Sequence, residues 1–217
     1  MRFDILSLFP ESIAPYLQSS ILSLAAQKNL VEFHVHNFRD YTKNKHNKVD
    51  DTPYGGGPGM VLSPQPIYDC IQSIKQQNPR ARVIFMSPRG QTLTQNKLHS
   101  LKAESGLIII AGRYEGLDQR AIDLCVDEEI SLGNFILCGG ELPALCLVEG
   151  ITRLIPRVLG NSASPIFESF SPEFNGKKKY PVYTKPEEFQ GLKVPEVLLS
   201  GHHKNIEKWQ KKNLSLD

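Results

Sequence analysis

Two short apolar runs with no polar interruption constrain this chain most: Val83-Ile84-Phe85-Met86 and Leu107-Ile108-Ile109-Ile110-Ala111. A strand with one wet face alternates polar and apolar residues. A continuous β-branched run instead fits a strand buried on both faces, as in a parallel sheet with helices on either side. Other segments fit that frame. Residues 3–9 form an apolar strand bounded by Pro10, residues 31–36 alternate with period two, and residues 129–133 end in a glycine. Between them, apolar residues at Ile13, Leu17, Ile21, Leu24 and Ala25 predict one helix over 13–27. Helices are also predicted over 66–77, 98–104 and 143–155, the first opened by Pro66. Strand, loop and helix in repetition give an α/β fold with a mostly parallel sheet.

The 217 residues suffice for one sizeable core and a small appendage. With 40% hydrophobic and 22% charged residues, the composition excludes disordered and fibrous classes. No apolar run approaches the roughly 20 residues of a membrane helix. Asp4 stands where a signal peptide would begin its apolar region, so a cytoplasmic location is expected. Cys70, Cys125, Cys138 and Cys146 form no C-x-x-C pair, and free buried thiols are expected rather than a disulfide framework or a metal site.

Three parts are expected: an α/β domain over 1–160, a flexible linker over 161–184 rich in Ser, Pro and Asn, and a small basic helical domain over 185–217. Residues 177–217 carry nine Lys against four Glu and one Asp, a net of +4, which leaves −2 on residues 1–176. A basic tail points to an anionic partner such as nucleic acid, although a solvated helix face carries such a run as well.

Three predicted strands end in glycine-bearing loops: Ser87-Pro88-Arg89-Gly90, Gly112-Arg113-Tyr114-Glu115-Gly116, and residues 132–140 with Gly133, Gly139 and Gly140. Ligands of open α/β sheets bind beyond the carboxyl ends of the strands, and glycines let main-chain groups approach them. Each glycine alone would equally serve a tight turn. The chain has no G-x-G-x-x-G, no G-x-x-x-x-G-K-[ST], no G-x-S-x-G and no H-E-x-x-H, which disfavours a dinucleotide fold, a P-loop, a serine hydrolase and a zinc protease.

The motif Val49-Asp50-Asp51-Thr52-Pro53-Tyr54-Gly55-Gly56-Gly57-Pro58-Gly59-Met60 is followed in order by Gly112-Arg113-Tyr114-Glu115-Gly116 and Cys138-Gly139-Gly140-Glu141-Leu142-Pro143-Ala144. Ile155-Pro156-Arg157-Val158-Leu159-Gly160, Tyr183-Thr184-Lys185-Pro186 and Val194-Pro195-Glu196-Val197-Leu198-Leu199-Ser200-Gly201 come next. Over nearly the whole chain this series resembles the bacterial tRNA (guanine-N1)-methyltransferases, the TrmD family of the knotted SPOUT superfamily. The resemblance implies a trefoil knot in the C-terminal half of the sheet and S-adenosylmethionine as methyl donor. It also implies a homodimer with active sites shared between chains, and guanine 37 of tRNA as substrate.

Methylating guanine N1 requires removal of its proton and stabilisation of the charge that develops on O6. The resemblance assigns the first task to Glu168, where the family has aspartate, and the second to Arg153. Glu173 is a second carboxylate in the same segment. For the cofactor the matching positions are Ser87, Pro88, Gly112, Tyr114, Glu115, Gly116, Leu132, Gly133, Asn134, Phe135, Ile136, Leu137, Gly139, Gly140 and Pro143. The family usually has aspartate at the position of Asn134 and serine at that of Cys138. Glu115 is placed beside the methionine moiety or a magnesium ion. Asp50 and Asp51 are placed near the target base, and His202, His203, Lys204, Lys208, Lys211 and Lys212, with residues 43–48, near tRNA phosphates. Trp209 is read as packing its helix. Two other readings stay open: a different knotted RNA methyltransferase, and a non-catalytic RNA-binding relative.

Overall fold

The computed structural model describes residues 1–215 and divides into two compact units, Met1–Leu159 and Gly160–Asp217. The last two residues of the expected 185–217 domain lie outside the described residues.

The first unit is built on β1 (Arg2–Ser7), β2 (Glu32–Asn37), a small pair β3 (Asp50–Asp51) and β4 (Val61–Leu62), β5 (Arg82–Thr92), β6 (Gly106–Ala111) and β7 (Glu128–Ser131). Five of these form one sheet in the order β2-β1-β6-β5-β7, and every pairing in it is parallel. All six residues of β6 are buried, as its unbroken apolar sequence requires of a central strand. Helices α1 (Pro10–Leu17), α2 (Ser20–Gln27), α4 (Gln95–Leu101) and α6 (Glu141–Thr152) supply one apolar layer, with Ile13, Leu22, Leu98 and Val148 against Ile5, Ile84 and Ile109. Helices α3 (Pro64–Gln77) and α5 (Gln119–Cys125) supply the other, with Ile67, Ile71 and Ala121 against Leu6, Val83 and Ile110.

Several boundaries differ from expectation. The single helix expected over 13–27 is two, because Ser20 takes φ of +47° and Ser19 turns back to donate from Oγ to Tyr16 O at 2.7 Å. Helix α3 starts at Pro64, two residues early, since prolines suit a first turn where the missing N–H has no partner to lose. The loop expected at 87–90 is strand: β5 runs on to Thr92 and re-pairs with β7 after a register shift between Met86 and Gln91. At that shift Gly90 passes so close to β7 that a Cβ would stand 2.3 Å from the Glu129 carbonyl carbon. Helix α5 had no apolar period long enough to be read. It is started by Asp118, whose side chain accepts from Arg120 N. Cys70 and Cys125 are buried free thiols, but Cys138 and Cys146 are exposed, against expectation.

At the far end of the sheet Asp4 is fully buried in β1. Its carboxylate accepts from Arg2 Nε and Nη2 at 2.8 Å, from His36 Nε2 at 2.9 Å and from Asn78 Nδ2 at 3.3 Å. Burial alone would raise its pKa, but the hydrogen bonds from His36, Arg2 and Asn78 outweigh that and hold it below the ordinary value.

The second unit contains the hairpin β8 (Glu188–Phe189) and β9 (Leu192–Lys193), then α7 (Glu196–Leu199) and α8 (His203–Lys212). Short helical pieces were expected throughout this region. The hairpin forms instead, because Gln190 and Gly191 both adopt positive φ, as a tight two-residue turn between antiparallel strands requires. Residues 161–184, expected as a linker, cluster with this unit as a run of turns. Phe174 is buried there, and a chain of ring contacts runs from Phe167 through Phe174 and Tyr180, both pairs tilted, to an edge-on contact of Tyr180 with Trp209.

Candidate active site

A cleft of about 400 Å³ opens beside residues 85–89 of β5 and at the carboxyl ends of β6 and β7. Residues 87–89 of β5, the 112–117 turn and the 132–140 loop wall it, and main-chain contacts tie the last two together. Gly140 N donates to Gly112 O at 2.8 Å, and Arg113 and Gly139 form an antiparallel bridge. On the other side of the 112–117 turn, Glu115 N donates to Met60 O and Leu62 N to Gly116 O, both at 2.9 Å. The turn itself takes left-handed backbone at Tyr114 and Gly116, with φ of +59° and +105°. Glycine at 140 is demanded by closeness rather than by φ: a Cβ there would stand 2.8 Å from Ala111 Cα.

Of the residues predicted to hold the cofactor, Asn134 alone does not line this cleft; it is exposed. Ser87, Pro88, Gly112, Tyr114, Glu115, Gly116, Leu132, Gly133, Phe135, Ile136, Leu137, Gly139, Gly140 and Pro143 all do. Ser131 braces the third loop, with its Oγ donating to Gly133 O and accepting from Gly133 N, both at 3.1 Å. Phe135, Ile136 and Leu137 present an apolar wall that remains exposed. Such a mixture of apolar surface and main-chain donors and acceptors suits a nucleoside, and the volume falls within the range of small-molecule pockets.

Arg113, Glu129 and Ser131 line the cleft without having been predicted to hold the cofactor, and Glu141 braces Arg113 from beneath. Glu141, 5% exposed in the first turn of α6, accepts from Arg113 Nε and from Ser7 Oγ, each at 3.0 Å. The Arg113 guanidinium also sits 4.5 Å from the centre of the Phe9 ring. A charged residue between two glycines and the apolar face of a helix was the available signal. A helix N-terminus favours an anion there.

The remaining predicted residues lie elsewhere. Asp50 is half-buried and Asp51 exposed on β3, where Asp51 Oδ1 accepts from Thr52 N at 2.8 Å. Neither lines the cleft. Next to them Tyr54 is fully exposed, and Gly55, Gly56 and Gly57 all have positive φ. In the 43–48 stretch, Lys43 Nζ pairs with Asp69 Oδ2 at 2.9 Å. Arg153 ends α6 in the first unit, half-buried, its N–H donating to Glu149 O. Glu168 is half-buried in the second unit, where its carbonyl accepts from Ser171 N. His202 caps α8 through its carbonyl, and His203, Lys204, Lys208, Lys211 and Lys212 are exposed, Lys211 paired with Glu207 at 2.7 Å. Trp209 is half-buried against Tyr180 and Tyr183. Among the described residues, no group of three or more His, Cys, Asp or Glu stands together to hold a metal ion, and no helix is long and apolar enough to cross a membrane.

Known proteins match this chain over nearly its whole length. A family model described as tRNA (Guanine-1)-methyltransferase TrmD matches residues 1–216. A tRNA (guanine-N(1)-)-methyltransferase of Halalkalibacterium halodurans is 50% identical over 212 residues, covering 97% of this chain and 85% of that protein. Its counterpart in Oceanobacillus iheyensis is 50% identical over 213 residues, covering 98% and 86%, and that of Bacillus cereus is 48% identical over the same shares. With the match spanning both units, the chain belongs to the TrmD family, the tRNA (guanine-N1)-methyltransferases.

Proposed function

We propose that the chain methylates N1 of guanine 37 in tRNA from S-adenosylmethionine held in the cleft, with Glu168 as general base and Arg153 as the donor to O6. The observation that carries this is the cleft: the 112–117 turn and the 132–140 loop, joined by main-chain bonds at Gly112 and Gly140 and lined also by residues 87–89 of β5, offer a nucleoside ligand both apolar surface and main-chain groups. When bound, S-adenosylmethionine supplies an electrophilic methyl on a positively charged sulfur.

The chain's own groups have three tasks. The loops grip the cofactor: Phe135, Ile136 and Leu137 offer an apolar wall, main-chain groups of 132–140 offer hydrogen bonds, and Glu115 offers a carboxylate on the cleft lining to meet positive charge. Glu168 accepts the N1 proton, which frees the electron pair that forms the new N1–carbon bond. The guanidinium of Arg153 donates to O6, where negative charge gathers as that proton leaves. After transfer the proton on Glu168 passes to water, and S-adenosylhomocysteine and the methylated base leave. Asp50, Asp51, His202, Lys204 and Lys208 are assigned to binding the tRNA.

A knotted path, a homodimer with shared sites and a cytoplasmic location belong to the same reading. Support for the knot is the return of the chain from edge strand β7, past β5, to pair Gly140 with Gly112 at the end of β6. Support for a dimer is the exposure of Leu142 and Ile136, apolar side chains that a second copy would cover. Magnesium, which the resemblance associates with the family, finds no three-ligand carboxylate set among the described residues, and no step passes through it.

Nucleoside mass analysis after incubation with methyl-labelled cofactor tests the reading. Unmodified tRNA with guanine at position 37 yields 1-methylguanosine, and the same tRNA with adenine there yields no labelled nucleoside. A ribose-methylated product would identify a different RNA methyltransferase. Cofactor binding without any methyl transfer would identify a non-catalytic relative.

A further inference from the structure

The tripeptide Lys177-Lys178-Lys179 is held by its backbone at every residue. Lys177 N donates to Phe174 O at 3.0 Å, and Lys177 O accepts from Phe170 N at 2.8 Å. Lys178 pairs antiparallel with Ser215 through bonds of 2.7 and 3.3 Å, and Lys179 N donates to Ser169 Oγ at 2.9 Å. Ser169 and Phe170 directly follow Glu168. The ribbon that carries three ammonium groups is thus bonded to the segment that carries the proposed base.

None of these bonds uses a lysine side chain, so the backbone bonding does not itself require three consecutive cations; Lys177 and Lys179 are half-buried and Lys178 is exposed. Their mutual repulsion is a cost that a polyanion relieves. The bridge at Lys178 is an extended one, and side chains along an extended chain alternate, which puts Lys177 and Lys179 on one face and Lys178 on the other. Residues two apart on such a chain lie about 7 Å apart, close to the separation of neighbouring phosphates on one nucleic-acid strand. The ribbon is also anchored to a fixed wall: the Lys179 ammonium lies 5.5 Å from the centre of the Tyr180 ring, and Tyr180 packs on Phe174 and Trp209.

We propose that Lys177 and Lys179 grip successive phosphates of the tRNA beside the target guanosine and, through their bonds to Ser169 and Phe170, position Glu168 on the base. This rests on the reading of Glu168 as general base. The two lysines are positioning residues, and the ligand class is a single-stranded phosphodiester segment.

The test uses the full chain with unmodified tRNA bearing guanine 37. It compares wild type with Lys177→Gln/Lys179→Gln, with Lys177→Arg/Lys179→Arg and with Lys178→Gln. Cofactor affinity and Trp209 fluorescence report that each variant is folded. In the double glutamine variant the slope of log affinity against log salt falls by about 1.4 to 1.8. Its affinity at fixed low salt falls about tenfold, and its single-turnover rate at saturating tRNA falls at least fivefold. The arginine pair restores all three, and Lys178→Gln keeps the wild-type rate. An unchanged slope, or a wild-type rate at saturating tRNA, overturns the proposal. Equal losses in Lys178→Gln overturn it too, because they would show diffuse charge rather than a placed pair. A wild-type chain that fails to methylate the tRNA would sink the underlying reading, whereas a wild type that methylates beside an unimpaired double variant sinks this proposal alone.

Discussion

Arg113 donates from Nε to Glu141 Oε1 at 3.0 Å, and that bond ties the 112–117 turn to the start of α6. Glu141 is nearly fully buried and also holds Ser7 of β1, so one carboxylate fixes three elements beneath the cleft. Its removal leaves the Arg113 cation without its partner in a poorly hydrated place. Glu141→Ala is expected to cost about 3 kcal/mol of stability. It is also expected to weaken cofactor binding about tenfold by loosening the turn. Urea unfolding and titration calorimetry measure the two effects.

Close approach at Gly140 makes a different prediction. A methyl group there would press on Ala111 Cα and Gly112 N, main-chain atoms of the strand end that cannot rotate away. Gly140→Ala is expected to cost about 2 kcal/mol and to abolish measurable cofactor binding. Gly160→Ala, where a Cβ meets nothing within 4 Å, leaves both unchanged.

Asp4 gives the first unit an acid-sensitive support. Its carboxyl titrates below the ordinary 3.8, so the folded chain binds the proton less readily than the unfolded one. The stability this group adds is therefore fully present above about pH 4 and is lost as the pH falls through the lowered value. Asp4→Asn strands Arg2 and His36 and is expected to cost about 3 kcal/mol at neutral pH. In unfolding curves collected from pH 7 to pH 2, the variant shows a flatter decline than wild type.

Thiol reactivity reports occupancy of the cleft. Cys138 is exposed on its lining, whereas Cys70 is buried and its thiol is pushed up to about 12 by desolvation. Iodoacetamide at pH 8 is expected to label Cys138 and spare Cys70. Saturating S-adenosylmethionine slows labelling of Cys138 at least fivefold, as peptide mass spectrometry over time would show.

Much of the first unit was legible because burial on two faces leaves a plain mark. The runs at 83–86 and 107–111 lie in two inner strands flanking the cleft, and the residues that follow each of them line it. What was not legible depended on long-range contacts. Nothing near Gly90 reveals that β7 passes against it, so a Ser-Pro-Arg-Gly sequence reads as a loop although it continues a strand. The Glu141–Arg113–Ser7 cluster joins residues up to 134 positions apart, and no local period encodes such a pairing. The polar stretch 161–184 has no helical or strand period, yet single aromatic residues at 167, 174 and 180 suffice to fold it against Trp209. The resemblance to a family, rather than periodicity, singled out Glu168 and Arg153.

The proton-transfer role of Glu168 is the central chemical claim, and one pair of measurements on Glu168→Gln tests it most directly. The amide keeps the size and hydrogen-bonding reach of the side chain but cannot take a proton. Cofactor affinity is expected to stay within twofold of wild type, while the single-turnover rate of guanine N1 methylation falls by at least a hundredfold. A variant that binds cofactor normally and methylates at the wild-type rate would contradict the account.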